Sequence, residues 1–399
     1  MSGLRLFISA GEPSGDLLAG ELLVALKRQL PDLEAFGICG PRMRAAGAEP
    51  LFGIEELSVM GFVEVLKHLP YIKRLEFSLL TSIERRQPQI AILVDYPGFH
   101  LRLAESLKMR GIYVFQYVAP QLWAWGEKRT AKLKACTDEV LGIMPFEAEF
   151  FRERAVNFRY VGTPQVDRAK GARRDRERFA LGSGRVIGFF PGSRPGEVSR
   201  LLPRMLAIRT QLRRLDPTVR FAVSAAPHLP LSLFEKLLET RIEAGAEAYV
   251  HVLDDTVLVQ GHSIDLMKSC DAALVTSGTA TLECALVMTP MAVIYVMQNL
   301  SYQLAKRFVK LPHISLVNLV AGKGLVREFI QDFDVAEAAQ ELLQLARPGT
   351  YRDAQSLGLK ALDAKLQGDL AENAAAAVAT RWQVMREGQN AGITAPARS

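Results

Sequence analysis

Residues 4–16 read LRLFISAGEPSGD: a strand-length apolar run breaks at a glycine-bearing turn, and a helical pattern follows. The same order returns at 90–98, IAILVDYPG, and at 186–196, VIGFFPGSRPG. These apolar runs are nearly continuous rather than alternating, which is typical of strands that are covered on both faces. Their repeated alternation with helices predicts an α/β fold built on doubly wound parallel sheets.

A polar, arginine-rich stretch at 168–184 interrupts this alternation near the middle of the chain, and a second series of strands follows it. We interpret the stretch as a domain junction. The sequence therefore predicts two doubly wound domains, at 1–170 and 171–345, with an interdomain cleft that binds ligands beyond the carboxyl ends of the strands. Residues 346–399 lack strand signals and predict a helical C-terminal tail with a frayed end.

The composition of the 399 residues, 49% apolar and 23% charged, excludes disorder over most of the chain. A net charge of +6 permits an anionic partner without requiring nucleic acid, and we expect none. Four cysteines far apart in sequence indicate a reducing compartment rather than a disulfide framework or a metal site. We expect no signal peptide, and Pro290 makes the uncharged run at 284–305 a strand and helix rather than a membrane span.

In the first domain, side chains that could take part in catalysis or ligand binding follow the strands. Glu12 and Ser14 stand in the turn after the first strand, where helix capping and ligand binding are both open. Asp95 follows five apolar residues, and it either caps the next helix or serves as a general base for a substrate hydroxyl. Trp123 and Trp125 follow a third strand, as core residues or as a wall of the site.

In the second domain, two turns suit an anion. Ser193 and Arg194 follow a strand and open a helix, so backbone N–H groups and a guanidinium fork predict diphosphate binding. Gly278 and Thr279 begin another helix, whose start could bind an anion in the same way. Glu283, one turn further, either accepts hydrogen bonds from two ribose hydroxyls or is an ordinary helix residue.

Taken in order, these segments resemble the lipid-A-disaccharide synthase family of GT-B glycosyltransferases. The matching motifs are GEPSGD at 11–16, GPRM at 40–43, MGFVE at 60–64, the Asp95 loop, WAW at 123–125, PGSR at 191–194, SGTATLE at 277–283 and SLVNL at 315–319. Single motifs also occur in other nucleotide-sugar transferases, but the ordered set is specific. Val317 departs from the usual proline, and Thr163 stands where a histidine is common, which argues against acid–base chemistry there.

The resemblance implies two Rossmann-like domains and inverting transfer of 2,3-diacylglucosamine from its UDP derivative to the 6-hydroxyl of 2,3-diacylglucosamine 1-phosphate (lipid X). It implies no cofactor and no metal, with the nucleotide on the second domain and the acceptor on the first. The roles it implies are Asp95 as base, Ser193, Arg194, Gly278 and Thr279 on the diphosphate, Glu283 on the ribose, and Glu12, Ser14 and Asn318 as catalytic residues of the cleft.

Residues 59–80, VMGFVEVLKHLPYIKRLEFSLL, mix apolar side chains with cations. The pattern predicts a segment that lies on an anionic membrane surface, and amphipathic helices packed on the sheet remain an alternative. Because both implied substrates carry acyl chains, we expect a cytoplasmic protein, peripheral on the inner face of the inner membrane. The sequence leaves open whether the chain forms a homodimer. It also leaves open whether the tail returns to the first domain, an expectation that rests on analogy with other GT-B proteins.

Three other functions stay open at this point. Two are enzymatic: a UDP-N-acetylglucosamine 2-epimerase and the transferase of cell-wall precursor synthesis. The epimerase requires additional carboxylates and a histidine near the anomeric carbon, and the six histidines include no clear candidate at the matching strand ends. The third is a non-catalytic, nucleotide-binding membrane adaptor, for which loss of Asp95 would leave biological activity unchanged.

Overall fold

The computed structural model describes residues 3–58, 65–124, 126–242, 248–298 and 311–393. Contacts between residues divide the chain into two compact units. The first comprises Met1–Thr163 with Gly368–Ser399, and the second comprises Pro164–Gln367. The expected junction at 170/171 lies later in the chain than this division.

The first unit is built on one parallel sheet. Its strands are β1 (Arg5–Ala10), β2 (Glu34–Cys39), β3 (Glu49–Gly53), β4 (Ile90–Val94), β5 (Tyr113–Tyr117), β6 (Glu139–Gly142) and β7 (Phe158–Tyr160). They lie in the order β3-β2-β1-β4-β5-β6-β7. The chain thus winds outward from β1 on one side and from β4 on the other, which confirms the predicted doubly wound sheet. The switch point, where such sheets bind ligands, lies between β1 and β4.

Helices connect these strands. They are α1 (Pro13–Gln29), α2 (Pro41–Ala45), α3 (Glu55–Ser58), α4 (Val65–Arg86), α5 (Pro97–Met109), α6 (Thr130–Cys136), preceded by a 3-10 turn at Glu127–Arg129, and α7 (Glu147–Glu153). Proline opens α1, α2 and α5, since its fixed φ suits the first helical turn. Asp16 is buried, and its carboxylate accepts hydrogen bonds from the backbone N–H groups of Arg42 (2.9 Å) and Met43 (3.0 Å). Asp16 therefore caps α2 rather than its own helix.

The second unit has its own seven-stranded sheet. The strands are β8 (Val186–Phe190), β9 (Arg220–Ala225), β10 (Val250–Leu253), β11 (Thr256–Gln260), β12 (Ala272–Thr276), β13 (Met291–Tyr295) and β14 (Glu328–Ile330). Their order is β10-β11-β9-β8-β12-β13-β14, and only the edge pair β10–β11 among these strands is antiparallel. The winding again reverses next to β8, so the second predicted doubly wound sheet is confirmed as well.

The helices of the second unit complete this layer structure. They are α8 (Pro164–Ala169), α9 (Pro195–Leu215), α10 (Leu231–Leu238), α11 (Ser263–Ser269), α12 (Thr279–Leu286), α13 (Leu316–Ala321), α14 (Val335–Ala346) and α15 (Thr350–Leu366). Helix α8 packs on α12, which places the division of the chain before α8 rather than after it.

The predicted tail is helical, and its two helices lie in different units. Helix α15 belongs to the second unit, whereas α16 (Leu370–Ile393) packs on α1 in the first. Ala374, Val378 and Trp382 are buried in this contact. None of the helices in the described parts of the chain is long and apolar enough to cross a membrane. The uncharged run at 284–305 supplies β13, and the helix expected after it falls outside the described residues.

Candidate active site

Asp95 directly follows β4 at the switch point of the first sheet. Its backbone is left-handed, with φ of 51°, and so is that of Tyr96, with φ of 48°. Two consecutive non-glycine residues in this region store strain that the surrounding structure must hold, which is a feature of functional sites. The Asp95 side chain is partly exposed. Partial burial raises the pKa of its carboxyl, and a hydrogen bond from the Tyr96 backbone N–H, which lowers the pKa, offsets part of that rise. A raised pKa brings a carboxylate closer to the range that suits a general base.

A buried histidine holds the Asp95 loop in this conformation. His100 Nδ1 lies 2.7 Å from the Asp95 carbonyl oxygen, and Nε2 lies 2.9 Å from Ser9 Oγ. Because a carbonyl only accepts, Nδ1 donates, and Nε2 of the neutral ring accepts from the Ser9 hydroxyl. Desolvation lowers the pKa of His100 to about 4, so the ring stays neutral near neutral pH. The Gln116 amide donates to the same carbonyl over 3.4 Å.

The turn after β1 lies against the Asp95 loop. A Cβ atom on Gly11 would collide with the Tyr96 ring, so the two loops approach as closely as glycine allows. Glu12 and Ser14 are exposed beside this contact, and among the described residues the Glu12 side chain accepts no capping hydrogen bond at α1. The structure therefore brings Glu12, Ser14 and Asp95 to the carboxyl edges of adjacent strands.

Trp123 is held by a buried acid. Its indole N–H donates to Glu147 Oε1 over 2.9 Å, and its ring meets Phe146 edge-on at 4.9 Å. Glu147 is buried at the start of α7, and desolvation raises its pKa to about 8. Trp123 is thus anchored in the first unit, and Trp125 lies outside the described residues.

This burial predicts a pH-dependent contribution to stability. The native state retains the Glu147 proton up to a pKa of about 8, whereas the unfolded carboxyl releases it near 4.5. The native state therefore binds the extra proton between these values, and its stability falls as pH rises through that window. We expect Glu147→Gln to remove this loss, so that urea unfolding followed by tryptophan fluorescence favours the variant increasingly from pH 5 to pH 8.5. Parallel pH curves for the two proteins would refute the burial argument.

In the second unit, the turn after β8 presents Arg194. Gly192 has φ of 106°, and a Cβ there would lie 2.6 Å from Glu197 Oε2, so the turn requires glycine. The Arg194 side chain is 81% exposed, and its guanidinium pairs with Glu197 Oε1 at 3.0 Å. The His228 ring lies 2.8 Å from the Ser193 carbonyl oxygen and steadies the turn. An exposed guanidinium at the N-terminus of the long helix α9 suits a diphosphate.

The turn after β12 is its neighbour, because β8 and β12 pair in parallel with Val275 opposite Phe190. Gly278 has φ of 147°, is partly exposed, and has open space where a Cβ atom would lie. Thr279 opens α12, and Glu283 follows one turn on, where burial raises the pKa of its carboxyl. Arg168 Nη1 lies 3.5 Å from Glu283 Oε1 and opposes that rise.

Asn318, a predicted residue of the cleft, is only 1% exposed. Its Oδ1 accepts from the backbone N–H groups of Leu325 and Val326, both over 2.9 Å. Its Nδ2 donates to the Val326 carbonyl and to Glu328 Oε1, again over 2.9 Å each. The amide is thus engaged by the chain itself, and Asn318 organises the loop around it.

Four contributors to these sites were missed in the sequence: His100, Gln116, Arg168 and Glu328. Each acts on a residue distant in sequence or through a backbone group, and neither kind of contact leaves a local motif. Only His100 carried a signal, as a histidine five residues after the candidate base.

Solved structures similar to this chain share its fold. The glycotransferase of kitacinnamycin has a TM-score of 0.62 at 15% identity and covers 94% of this chain and 98% of its own. The calicheamicin glycosyltransferase CalG4 has a TM-score of 0.56 at 13% identity and covers 99% and 100%. At such identities the likeness is one of fold alone, and it confirms the predicted GT-B fold.

Sequence comparison gives a closer relationship. The family model for lipid-A-disaccharide synthetase (LpxB) matches residues 6–379. The lipid-A-disaccharide synthase of Anaeromyxobacter dehalogenans (strain 2CP-1) is 40% identical over 366 residues, covering 91% of this chain and 93% of that protein. The enzyme of the same name from Pseudomonas aeruginosa (strain UCBPP-PA14) is 39% identical over 344 residues, covering 84% and 87%. This chain therefore belongs to the lipid-A-disaccharide synthase family of GT-B glycosyltransferases.

Proposed function

We propose that this chain transfers 2,3-diacylglucosamine from its UDP derivative to the 6-hydroxyl of 2,3-diacylglucosamine 1-phosphate. The products are a β-1,6-linked disaccharide 1-phosphate and UDP. The family relationship supports the reaction class. The observation that carries the mechanism is the strained loop that presents the Asp95 carboxylate at the switch point of the first sheet.

Asp95 acts as the general base. Its carboxylate accepts the proton of the acceptor 6-hydroxyl while that oxygen attacks the anomeric carbon of the donor. The bond from this carbon to the UDP oxygen breaks from the opposite face, so the configuration inverts. His100 and Gln116 hold the Asp95 backbone carbonyl, and Glu12 and Ser14 border the position of the acceptor.

The leaving diphosphate develops negative charge, which the second unit stabilises. Arg194 supplies a charged fork of donors, and Ser193, Gly278 and Thr279 supply groups at two neighbouring helix N-termini. Glu283 binds the ribose hydroxyls, with Arg168 holding its carboxylate. Asn318 contributes by positioning its loop, because its own amide is engaged within the chain.

A membrane surface is the proposed source of both acylated sugars. Of the expected segment 59–80, residues 59–64 and the side chains of 65–70 lie outside the described part of the chain. Further along α4, Ile72, Leu75 and Leu79 are buried in the first unit. One face of this helix therefore packs against the unit, as the alternative of an amphipathic helix on the sheet predicts. The opposite face exposes Phe77, at 73%, together with cations at Lys73 and Arg74, a combination suited to an anionic bilayer.

We expect Phe77→Ser to weaken co-sedimentation with anionic liposomes about tenfold, because burying a phenylalanine contributes about 1.5–3 kcal/mol. Met109→Ser is the matched control, since Met109 is an equally exposed apolar residue of the same unit, at 75%, on a different helix. Unchanged binding of the Phe77 variant, or an equal loss in the Met109 variant, would rule out this surface as the membrane contact.

The experiment that tests the function is UDP release by the purified chain. We expect release only when both acylated sugars are present. Epimer formation from UDP-N-acetylglucosamine alone would favour an epimerase. UDP binding without turnover of any sugar would favour a non-catalytic adaptor.

A further inference from the structure

We propose that Glu328 is a positioning residue that fixes the diphosphate turn at 277–279 through the loop at 313–318. The inference rests on the proposed function, because it assigns the turn to the UDP diphosphate. It concerns a residue outside every motif that the sequence singled out.

Glu328 stands at the start of β14, and its carboxylate accepts hydrogen bonds from four donors of residues 314–318, which form the end of a loop and the first turn of α13. Oε2 accepts from the backbone N–H of Ile314 over 3.1 Å. Oε1 accepts from the backbone N–H of Ser315 over 2.9 Å, from the Ser315 hydroxyl over 2.5 Å and from Asn318 Nδ2 over 2.9 Å. An ionised carboxylate accepts at both oxygens, so it can satisfy all four donors at once.

The peptide between Ile314 and Ser315 connects Glu328 to the diphosphate turn. The Ser277 hydroxyl donates to the Ile314 carbonyl oxygen over 2.9 Å, while the Ser315 N–H of the same peptide donates to Glu328 Oε1 over 2.9 Å. The Ser277 N–H donates to the Ile294 carbonyl over 3.1 Å at the end of β13. Ser277 is therefore held at its side chain and at its backbone immediately before Gly278. This two-point hold sets the direction in which the following N–H groups point.

Asn318 closes the arrangement. Its Oδ1 binds the backbone N–H groups of Leu325 and Val326, so the segment that leads into β14 is tied to α13. The Ser315 hydroxyl, which donates to Glu328, also accepts from the Asn318 N–H over 3.4 Å and caps α13. One carboxylate thus connects a strand end, a helix cap and the diphosphate turn. An amide at this position would present an NH₂ donor to groups that are themselves donors.

The test compares Glu328→Gln with Gln355→Ala. Gln355 is the matched control because it also clamps backbone in the second unit, binding the N–H and carbonyl of Met291 over 2.7 Å and 3.1 Å. Met291 begins β13, at the amino edge of the sheet away from the diphosphate turn. Both variants lower the melting temperature, so a purely structural role predicts that they behave alike.

We expect Glu328→Gln to weaken UDP binding in calorimetry about tenfold or more, in line with a lost charged hydrogen-bond acceptor. KM for the donor rises, KM for the acceptor stays unchanged, and hydrogen exchange of the peptide covering 277–281 accelerates. Gln355→Ala keeps wild-type UDP affinity and exchange at 277–281. Glu328→Asp retains the charge and gives intermediate values, and it replaces the glutamine variant if that protein does not fold.

The outcomes separate the two proposals. Wild-type UDP affinity in the folded Glu328 variants, or an equal loss of affinity in Gln355→Ala, would overturn the positioning role alone. No UDP binding by the wild-type chain would overturn the proposed function and this inference with it.

Discussion

Asp95→Asn is expected to lower kcat by a factor of about 10² or more, as for the loss of a general base, while UDP affinity stays at its wild-type value. The amide cannot accept the proton of the acceptor hydroxyl, and it preserves the volume and much of the polarity of the side chain. Nucleotide binding is unaffected because the proposed diphosphate groups lie in the second unit. Steady-state turnover and calorimetry with UDP measure the two quantities separately.

The pH profile sharpens this expectation. Burial raises the pKa of the Asp95 carboxyl, so the acidic limb of kcat/KM should lie above the ordinary value of 3.8. That limb should disappear in Asp95→Asn. Asp138→Asn is the matched control, because Asp138 binds the Val114 backbone over 2.8 Å at the amino edge of the same sheet. Near-normal turnover of Asp95→Asn would reject the assignment of the base.

Arg194→Ala is expected to reduce kcat/KM for the donor by about 10²–10³, the usual effect of removing one donor that stabilises developing charge. Within the part of the chain that the structure describes, the exposed guanidinium pairs with Glu197 through Nη1, and a guanidinium has further N–H donors that can bind a ligand. UDP affinity should fall together with kcat/KM. Arg194→Lys should recover only part of both, since an ammonium lacks the planar fork that matches a diphosphate.

Arg213→Ala serves as the control for this variant. Arg213 is a half-exposed arginine of the same unit that pairs with Asp255 at 3.1 Å, at the far end of helix α9 from Arg194. We expect its removal to leave donor kinetics unchanged. If Arg194→Ala kept wild-type UDP affinity, the diphosphate would bind elsewhere and the proposed donor site would be wrong.

Much of the fold follows from the sequence because buried strands leave a direct mark. The strands at 90–94 and 186–190 coincide with the apolar runs that open the stretches quoted at 90–98 and 186–196, since all of their residues are buried and apolar. The strand Glu34–Cys39 is less visible, because it begins with an exposed glutamate and contains Gly37. The structure explains that glycine: φ is 156°, and a Cβ would collide with the Ile8 carbonyl of the neighbouring strand.

The sequence predicts those parts of the candidate site that directly follow the ends of strands. Glu12, Asp95, Arg194 and Gly278 all follow strands, and topology alone brings each pair of neighbouring loops together. Contacts between distant segments were not predictable. Asp16 illustrates this, because its sequence position suggests a cap for α1, whereas it caps α2 from 26 residues away.

Burial decides the cases in which the residue type is ambiguous. The sequence leaves undecided whether Trp123 belongs to the core or to the wall of the site. The buried Glu147 that anchors it follows a different strand, so no local motif reveals the contact. Asn318 looked like a residue of the cleft, yet its amide is fully used by the segment at 325–328. The sequence identifies such residues as important without stating which groups they touch.

Inverting transfer with Asp95 as the base can be measured in a single turnover of both acylated sugars, with the anomeric configuration of the product read by NMR. The wild-type chain should release UDP and form a β-1,6-linked disaccharide in step with it. Asp95→Asn, loaded with the same donor, should form neither on that timescale. An α-linked product, or equal product formation by the two proteins, would contradict an inverting transfer with Asp95 as its base.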